Sequence, residues 1–364
     1  MLENVEWGDF SIGDLFEINS YKKNFDANKV KILKNGNYPY VVRTSQNNGQ
    51  RGFIDEDEVF LNEGNTISFG QDTATMFYQK IPYFTGDKIK ILKAKDKRFG
   101  ERNAQFFLTT MMKSFSSFSW GCSSFSVEMI KKQKVKLPIK NKEIDYYFME
   151  NFIAELEAQR IAELEAYLSV TGLKDYTLTE EEQQALEKYG NIEWSVFNLE
   201  KLFGKSTRGK RLKSADRIPG NLPFVTAGEA NEGISDFIGN DVTIFSANTT
   251  TIDMFGSAKY RNYEYGGDDH IAVVHTERLP KYAAIFVTAA IHKSSHCGKF
   301  DYSQNFYAKD ADELYILLPV KNNQPDYGVM ENIIAAIQKL VIKEVVQYAD
   351  SKIAATKEVV NRKK

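Results

Sequence analysis

An internal repeat is the feature that most constrains the fold of this 364-residue chain. The string DYYFMENFIA at residues 145–154 returns as DYGVMENIIA at 326–335, with seven of ten letters identical at a spacing of 181 residues. Shorter matches keep the same order: VEW and IEW, GDLFEI and EKLFGK, YPYV and LPFV, KIKIL and HIAVV, KLPIK and LLPVK. An ordered series of matches predicts a duplicated structural unit.

Two further matches help to align the halves. A glycine lies eight residues after the valine of YPYV and of LPFV (Gly49 and Gly233), and a Phe-Ile pair follows each. The segment NTISFGQDTATMFY at 65–78 aligns with VTIFSANTTTIDMFG at 242–256, with Met-Phe in both. Each half therefore begins with short β-like runs separated by turn residues, and a helical segment follows.

The helical segments are long and share a position in the repeat. We predict helices over 143–169 and 327–359, since both lack proline and are rich in helix-forming residues. Apolar residues recur on each at helical spacing: Phe148, Phe152, Leu156, Leu164 and Leu168 on the first, and Ile334, Ile337, Val341, Val345 and Tyr348 on the second. These stripes predict a coiled-coil pair, and the alternative is that each helix packs on its own domain.

Two smaller features also carry predictions. Thr179 and Glu182 have the spacing of a capping box, so we predict a short helix between the halves that stops at Gly190. We expect Trp7, Trp120 and Trp194 in the core, because Trp7 and Trp194 share a position in the repeat.

Composition and charge limit the function classes. We find no apolar run of membrane-spanning length and no secretion signal, and two cysteines, Cys122 and Cys297, suggest a reducing cytoplasm. The net charge is −2, but residues 143–193 carry thirteen acidic and three basic residues, so the rest of the chain carries +8. Basic clusters near 88–98 and 205–213 favour phosphate contacts, although a solvated surface explains them equally well.

Three motifs suggest enzyme chemistry, and each is incomplete. Asn37-Tyr38-Pro39-Tyr40 differs from the adenine methyltransferase loop at its second residue, and Gly204-Lys205-Ser206 lacks the first glycine of a phosphate-binding loop. His292, His296 and Cys297 lack a fourth ligand, so we predict no metal site. We therefore predict no catalytic residue on this chain.

The duplicated β-rich domain with its long helix resembles the specificity subunit of type I restriction-modification systems. The resemblance rests on VEWGDFSIGDLFEI and IEWSVFNLEKLF at the domain starts, on YPYVVRTSQNNG and LPFVTAGEANEG, and on the helix starts. It covers nearly the whole chain, and type IIB specificity subunits share this architecture.

The resemblance implies an α+β fold with a pseudo-two-fold repeat and four segments. These are target recognition domain 1 (1–142), a central helix and linker (143–190), target recognition domain 2 (191–324) and a C-terminal helix (325–364). Each domain would read one half of a bipartite site on double-stranded DNA. The two helices would lie antiparallel, hold the domains apart and dock two methyltransferase subunits, with restriction subunits as further partners.

The same resemblance implies that S-adenosylmethionine binds the methyltransferase partner and that this chain is non-catalytic. The alternative is a coiled-coil scaffold that joins proteins without DNA specificity.

DNA-contacting residues should be polar or basic and should lie on loops. In the first half we select Arg43, Thr44, Ser45, Gln46, Asn47, Asn48, Arg51, Gln71, Thr73, Thr75 and Tyr78. In the second half we select Lys205, Arg208, Lys210, Arg211, Asn248, Thr249, Thr250, Thr251, Tyr302 and Gln304. For each residue the alternative is an ordinary polar turn.

Overall fold

The computed structural model describes residues 2–3, 5–116 and 125–362, with side chains described as far as residue 354. Trp120 and Cys122 lie outside the described residues. The chain divides into two compact units, Met1–Leu164 and Glu165–Lys364. The four finer segments predicted from the sequence stay a prediction.

The described residues of the first unit form ten strands and most of four helices. Its strands are β1 (Trp7–Ser11), β2 (Phe16–Ser20), β3 (Pro39–Val41), β4 (Gln50–Phe53), β5 (Thr66–Gly70), β6 (Met76–Gln79), β7 (Phe84–Thr85), β8 (Ile89–Ala94), β9 (Lys134–Lys140) and β10 (Glu143–Ile144). Its helices are α1 (Ile12–Leu15), α2 (Ala104–Phe115), α3 (Val127–Lys132) and α4 (Tyr146–Val170), the last of which crosses the boundary between the units.

These strands form three sheets in the first unit. The orders are β1-β9-β10, β2-β8-β5-β6 and β4-β3-β7, and only the β3–β7 pair is parallel among the pairings of these strands. The main core lies between the four-stranded sheet and the helices, where Phe69 meets Phe115 and Phe16 meets Phe107. Burial of these aromatic side chains is the main stabilising contribution to the unit.

The second unit repeats this sequence of elements. Its strands are β11 (Trp194–Asn198), β12 (Thr207–Arg208), β13 (Pro219–Val225), β14 (Ile234–Ile238), β15 (Ile244–Phe245), β16 (Thr249–Asp253), β17 (Ala258–Arg261), β18 (Tyr265–Gly267), β19 (Ile271–Val274), β20 (Tyr315–Lys321) and β21 (Gln324–Pro325). Its helices are α5 (Glu180–Glu187), α6 (Leu199–Phe203), α7 (Lys281–Ser295), α8 (Ala308–Asp312) and α9 (Tyr327–Arg362).

The sheets of the second unit have the same topology as those of the first. Their orders are β11-β20-β21, β12-β19-β16-β17 and β14-β13-β18-β15. The short strand β15 is the addition, and its place in the first unit is taken by an isolated bridge between Asn62 and Tyr83. The predicted duplication and the mixed α+β class are therefore confirmed.

The structure corrects one segment of the predicted alignment. Strand β5 corresponds to β16, so Thr66 is equivalent to Thr249, whereas the letter match had paired Thr66 with Thr243. The two Met-Phe pairs are consequently not equivalent, since Met76 begins β6 and Met254 lies in the turn after β16. A chance two-letter match shifted the alignment by six residues, from Thr249 to Thr243, which is more than the length of the five-residue strand β16.

The two Leu-Pro segments are equivalent, as predicted. Trp7 of β1 lies opposite Pro138 of β9, and Trp194 of β11 lies opposite Pro319 of β20. Their predicted core position is wrong for Trp7, which is 37% exposed, and Trp194 is only partly buried. The shared position therefore reflects a common surface feature.

The repeated glycines shape equivalent turns. Gly49 and Gly233 have φ of 76° and 81°, a conformation that glycine adopts without strain. The carbonyl oxygens of both accept a 2.8 Å hydrogen bond, from the amides of Val42 and Thr226 respectively. Both glycines are buried and support the loops.

The long helices follow the predicted positions closely, but their buried faces differ from the predicted stripes. Phe148 and Phe152 of α4 pack on Phe106 in the first core, at ring distances of 6.3 and 5.7 Å. On α9 the buried residues are Met330, Ile333, Ala336, Val346 and Ala349.

The predicted stripe of α9 therefore lies largely in solvent. Ile334 is partly buried, and Ile337, Val341, Val345 and Tyr348 are exposed, Val341 to 72%. Leu156 of α4 is exposed, Leu164 is partly buried and Leu168 is buried. The first turns of both helices pack on their own units, which agrees with the alternative that each helix packs on its own domain. The coiled-coil pairing stays a prediction.

The connecting helix has the predicted start. Thr179 caps α5, and the reciprocal bonds between Thr179 and Glu182 form the predicted capping box. The helix ends at Glu187, three residues before the predicted Gly190 stop. None of the helices in the described ranges combines the length and apolar content of a bilayer-spanning segment.

Candidate nucleic-acid interface

A cleft in the first unit brings three predicted residues together. Arg43 follows β3, Arg51 lies on β4, and Thr73 lies in the turn between β5 and β6. All three border one cavity of about 690 Å³. The other residues lining it are Asn24, Phe25, Asp26, Ala27, Tyr40, Val42, Gly86 and Asp87. The fold thus assembles a polar cleft from segments that are distant in the sequence.

The guanidinium of Arg43 is held in place at this cleft. Its Nη1 forms an ion pair with Oδ2 of Asp72, and Lys88 Nζ lies 3.0 Å from the same oxygen. Two cations share one carboxylate, so the cluster keeps a net positive charge. A guanidinium anchored in this way presents its remaining N–H donors in a fixed orientation, which suits base edges and phosphates.

An internal hydrogen bond ties together two residues of the cleft wall. The hydroxyl of Tyr40 donates a 2.5 Å hydrogen bond to the carbonyl oxygen of Phe25. Burial raises the pKa of Tyr40, with a smaller opposing effect from Arg51, so the phenol stays protonated as this donor at neutral pH. Tyr40 therefore supports the cleft and does not present a charge to a ligand.

The predicted polar turn beside the cleft is exposed. Ser45, Gln46, Asn47 and Asn48 lie at the surface, and Thr44 is partly buried. Asn47 and Asn48 have φ of 47° and 52°, which asparagine tolerates well. The Asn47 amide donates to the carbonyl oxygen of Gln50 at 3.2 Å, so the turn is fixed while its outer side chains face solvent.

Four of the predicted residues of the first unit have structural partners. The Gln71 amide donates to the carbonyl oxygen of Phe125 at 2.8 Å, and the hydroxyls of Thr73 and Thr75 lie 2.8 Å apart. Tyr78 donates its hydroxyl to Oδ1 of Asn65 at 2.9 Å and packs on Phe99. These contacts argue against Gln71 and Tyr78 as DNA ligands.

The basic segment of the second unit is exposed as predicted. Lys205, Arg208, Lys210 and Arg211 lie at the surface, and none takes part in a salt bridge with any described residue. Strand β12 anchors the segment on the edge of a sheet, opposite Val273 and Ala272. Gly209 is required there, since a Cβ would lie 1.6 Å from the carbonyl oxygen of Gly267. The segment is therefore held close to the sheet while its cations stay free for phosphate contacts.

The predictions for Thr249, Thr250 and Thr251 fail, because all three lie buried in the central strand β16. Their hydroxyls have internal partners: the Tyr265 hydroxyl for Thr249, the Thr288 hydroxyl for Thr250 and Nε of Arg261 for Thr251. We remove these threonines from the candidate interface.

Asn248 is likewise structural. Its amide donates to the carbonyl oxygens of Glu277 and Leu279, and its Oδ1 accepts from the Tyr260 hydroxyl at 2.8 Å. This arrangement repeats that of Asn65 and Tyr78 in the first unit. Both the amide nitrogen and Oδ1 of the side chain have hydrogen-bond partners within the fold, so we also remove Asn248 from the interface.

Tyr302 and Gln304 lie on an exposed turn. Tyr302 is 85% exposed, and its ring lies edge-on to Phe255 at 5.2 Å. Asp301 fixes the turn by accepting hydrogen bonds from the Ser303 hydroxyl and from the Ser303 and Gln304 amides, all between 2.6 and 3.0 Å. Both residues are accessible to a ligand, as their prediction requires.

Asp268, Asp269 and His270 offer oxygen and nitrogen atoms within 4.8 Å of one another. Burial raises the pKa of the Asp268 carboxyl, and the charge of Asp269 adds to the rise. Nδ1 of His270 lies 3.1 Å from Oδ1 of Asp269. Clusters of this type are common without an ion, and we assign the trio no metal role.

Sequence reasoning missed the supporting residues of the cleft. Asn24, Asp26 and Asp87 line it, and Lys88 shares the Asp72 carboxylate with Arg43. The parallel pairing of β3 with β7 brings these segments together. A single sequence carries no direct signal for a parallel pairing across about forty residues, so the cleft was not predictable as a unit.

Comparisons with known proteins agree with the duplicated architecture. The family model for the type I restriction modification DNA specificity domain matches residues 4–166 and 191–348. The chain is 28% identical over 349 residues to the Type II restriction enzyme BgcI specificity subunit S.BcgI of Heyndrickxia coagulans, covering 93% of this chain and 96% of that protein. Its fold is similar to the crystal structure of a Type-I restriction-modification system S subunit from M. genitalium, with a TM-score of 0.63 and 16% identity. That similarity covers 100% of this chain and 96% of the other.

Proposed function

The chain belongs to the type I restriction modification DNA specificity family, and we propose from this membership that each of its units reads one half of a bipartite DNA site. Membership makes sequence recognition in DNA the task of the chain. The proposal adds how the duplicated architecture divides that task between the units.

The observation that carries the proposal is one scaffold with two different surfaces. Arg43 and Arg51 border the cleft of the first unit, whereas the equivalent positions of the second unit hold Ala227, which follows β13, and Ser235, which lies on β14. The second unit instead exposes the basic segment at 205–211. Two units of equal fold and unequal surface suit two half-sites of different sequence.

The long helices supply the spacing and the docking surface in this proposal. Helix α4 has 25 residues and is therefore about 37 Å long, close to the roughly 34–36 Å of one DNA turn. An antiparallel pairing of α4 and α9 would set the distance between half-sites. The exposed apolar residues of α9, including Val341 and Tyr348, favour the docking of a protein partner.

The chemistry in this proposal belongs to that partner. Two methyltransferase subunits bind the helices, and S-adenosylmethionine binds those subunits. The present chain selects the DNA sequence and is non-catalytic. A repeat related by pseudo-two-fold symmetry allows one chain to hold two copies of one partner.

DNA binding by the purified chain with and without its methyltransferase tests this proposal. Fluorescence anisotropy over a series of salt concentrations should show weak, salt-sensitive binding by the chain alone and tight, sequence-dependent binding by the complex. Methylation or cleavage of DNA by the chain alone would contradict the non-catalytic role. A complex that binds all sequences equally would favour the scaffold alternative.

A further inference from the structure

Each unit has an exposed turn with the same backbone course. In the first unit this turn covers residues 45–48 and ends at Gly49, and in the second it covers residues 229–232 and ends at Gly233. All four residues of each turn are exposed, whereas both glycines are buried. We call these surfaces the first-unit turn and the second-unit turn. Their equivalence allows their side chains to be compared position by position.

The side chains on the two turns differ in chemistry. The first-unit turn carries the amides of Gln46, Asn47 and Asn48 and no acidic residue, whereas Glu229 and Glu232 place two carboxylates on the second-unit turn. An amide side chain both donates and accepts hydrogen bonds, but an ionised carboxylate only accepts them. The second-unit turn can therefore pair with a donor group on DNA, and it repels acceptors and phosphates.

Glu232 has a backbone conformation that disfavours glutamate. Its φ and ψ are 56° and 24°, close to the 52° and 33° of Asn48 at the equivalent position. Asparagine and glycine tolerate this left-handed conformation, and Glu232 is the only acidic residue among the described residues with positive φ. Its side chain forms no hydrogen bond or ion pair with another described residue. A carboxylate is thus kept at a strained position without a partner in the described part of the chain.

Glu229 has a different role, because neighbouring side chains hold it. Its Oε1 lies 3.1 Å from Nζ of Lys259 on β17, and this Nζ lies 3.8 Å from Oδ2 of the buried Asp253. Hydrogen bonds from Ser257 and Lys259 lower the pKa of Glu229. The ionised Glu229 ties the turn to β17 and leaves Glu232 as the carboxylate that faces solvent.

A buried cation lies beneath the second-unit turn. Arg261 is 1% exposed, and its Nη2 lies 3.8 Å from the position that a Cβ on Gly233 would occupy. The first unit has the neutral Gln79 at the equivalent place, since Gln79 lies opposite Thr66 as Arg261 lies opposite Thr249. A positive charge therefore underlies the acidic turn, and an uncharged side chain holds the equivalent position beneath the amide turn. This charge offsets part of the repulsion between the carboxylates and DNA phosphates.

The hydrogen-bonding groups of the bases determine which base a carboxylate selects. In the major groove cytosine presents its N4 amino group as a donor, whereas guanine presents two acceptors and thymine presents the O4 acceptor. Adenine presents the N6 donor beside the N7 acceptor, and N7 repels a carboxylate. The adenine pattern suits the amide of asparagine or glutamine instead. A carboxylate therefore favours cytosine.

We propose that Glu232 reads a cytosine in the half-site bound by the second unit, by accepting a hydrogen bond from the N4 amino group of that base. The inference rests on the proposed function, because it takes the reading of one half-site by each unit from there. It adds a residue that the sequence analysis did not select and the base that this residue recognises. Glu229 and Lys259 are positioning residues, which hold the turn that presents Glu232.

Methylation of a DNA library with randomised half-sites, by the reconstituted complex of the full chain and its methyltransferase, tests this. Sequencing of the methylated fraction should show a C·G pair in one half-site that depends on Glu232. Glu232→Gln keeps the size of the side chain but replaces the carboxylate by an amide. The preference for cytosine at that position should fall about tenfold or more and move toward adenine. Glu232→Gly removes the side chain and should leave little preference there.

Thermal unfolding separates a loss of reading from a loss of folding. Glycine adopts a φ of 56° without strain, so Glu232→Gly should unfold at the same temperature as the unchanged chain or at a higher one. Glu193→Gln is the matched control, because it removes the same charge from an exposed position just before β11. This control should leave every base preference unchanged.

A split motif whose cytosine preferences persist in both Glu232→Gln and Glu232→Gly would overturn the role of Glu232 and leave the proposed function intact. A change in both half-sites would also overturn it, because Glu232 belongs to one unit. Absence of a split motif for the unchanged complex would overturn the inference together with the proposed function.

Discussion

Thr66 and Thr249 hold the same buried position in the two units and make the same hydrogen bonds. The Thr66 hydroxyl bonds to the Tyr83 hydroxyl at 3.1 Å and donates to the Glu63 carbonyl oxygen at 2.9 Å. The Thr249 hydroxyl bonds to the Tyr265 hydroxyl at 3.0 Å and donates to the Ser246 carbonyl oxygen at 2.9 Å. Burial raises the pKa of both tyrosines, so both phenols stay neutral. The repeat thus reaches the level of single polar pairs.

Replacing either threonine by valine should destabilise its unit without affecting DNA specificity. Thr66→Val or Thr249→Val keeps the shape but leaves buried oxygens without a partner, at a cost of about 1–3 kcal/mol in the free energy of unfolding. Urea denaturation measures this cost. The exposed Thr243→Val is the control and should change stability little. An altered recognition sequence in Thr249→Val would restore this residue to the DNA interface.

Arg43 is the residue of the first unit on which we expect specificity to depend most. Arg43→Ala should weaken sequence-specific binding of the methyltransferase complex by about 1–3 kcal/mol, because the oriented guanidinium is lost. Arg43→Lys keeps the charge but not the planar fork, so it should lose specificity more than overall affinity. Competition binding between specific and unrelated DNA separates these effects.

Arg102→Ala removes the same charge from an exposed position that does not border the cleft, and it serves as the control. If Arg43→Lys distinguished specific from unrelated DNA as well as the unchanged chain does, Arg43 would have no role in reading the sequence.

The environments of individual side chains were the least predictable part of the structure. The polar residues at 248–251 were predicted to lie on a surface loop, because the sequence does not indicate whether a hydroxyl side chain has a buried hydrogen-bond partner. The partners of Thr250 and Thr251 include Thr288 and Arg261, which lie elsewhere in the chain. The exposed positions at 45–48 and 205–211 were predicted better, since charged and amide side chains are rarely buried in a strand.

At the scale of elements, the helices were the most predictable part of the fold. Helix α9 begins at Tyr327 as predicted, α4 begins three residues late at Tyr146, and the α5 cap agrees. Local propensity and capping determine these features. Which face of α9 is buried depends on α5 and α7, and the spacing of apolar residues alone did not distinguish the buried face from the exposed stripe.

The length of α4 should determine the spacer between half-sites. Four residues inserted after Gln159 add about one turn and roughly 6 Å, so we expect the tolerated spacer to grow by about 2 base pairs or the complex to fail to assemble. Methylation of a library of spacer lengths by the reconstituted complex measures the preference.

The same four residues inserted after Gly172, in the exposed turn that follows α4, change the chain length but not the helix. This control should keep the original spacer. If the α4 insertion left the preferred spacer length unchanged in an assembled complex, the length of α4 would not determine the spacer.

At the scale of the whole molecule, the central feature is a duplicated architecture whose two copies expose different polar and basic residues. Sheet order, glycine turns and the stacks of Trp7 on Phe106 and of Trp194 on Phe286 are shared between the units. The Arg43 cleft and the basic segment at 205–211 are not shared. The duplication was predictable from ordered matches in the sequence, whereas the cleft required the parallel pairing of distant strands.

The most direct test of this account is co-expression of the chain with its methyltransferase subunit, followed by sequencing of methylated adenines in the host genome. We predict a split motif of two short specific sequences separated by a gap of fixed length. A continuous motif, or no methylation from an intact and folded complex, would contradict the assignment of one half-site to each unit.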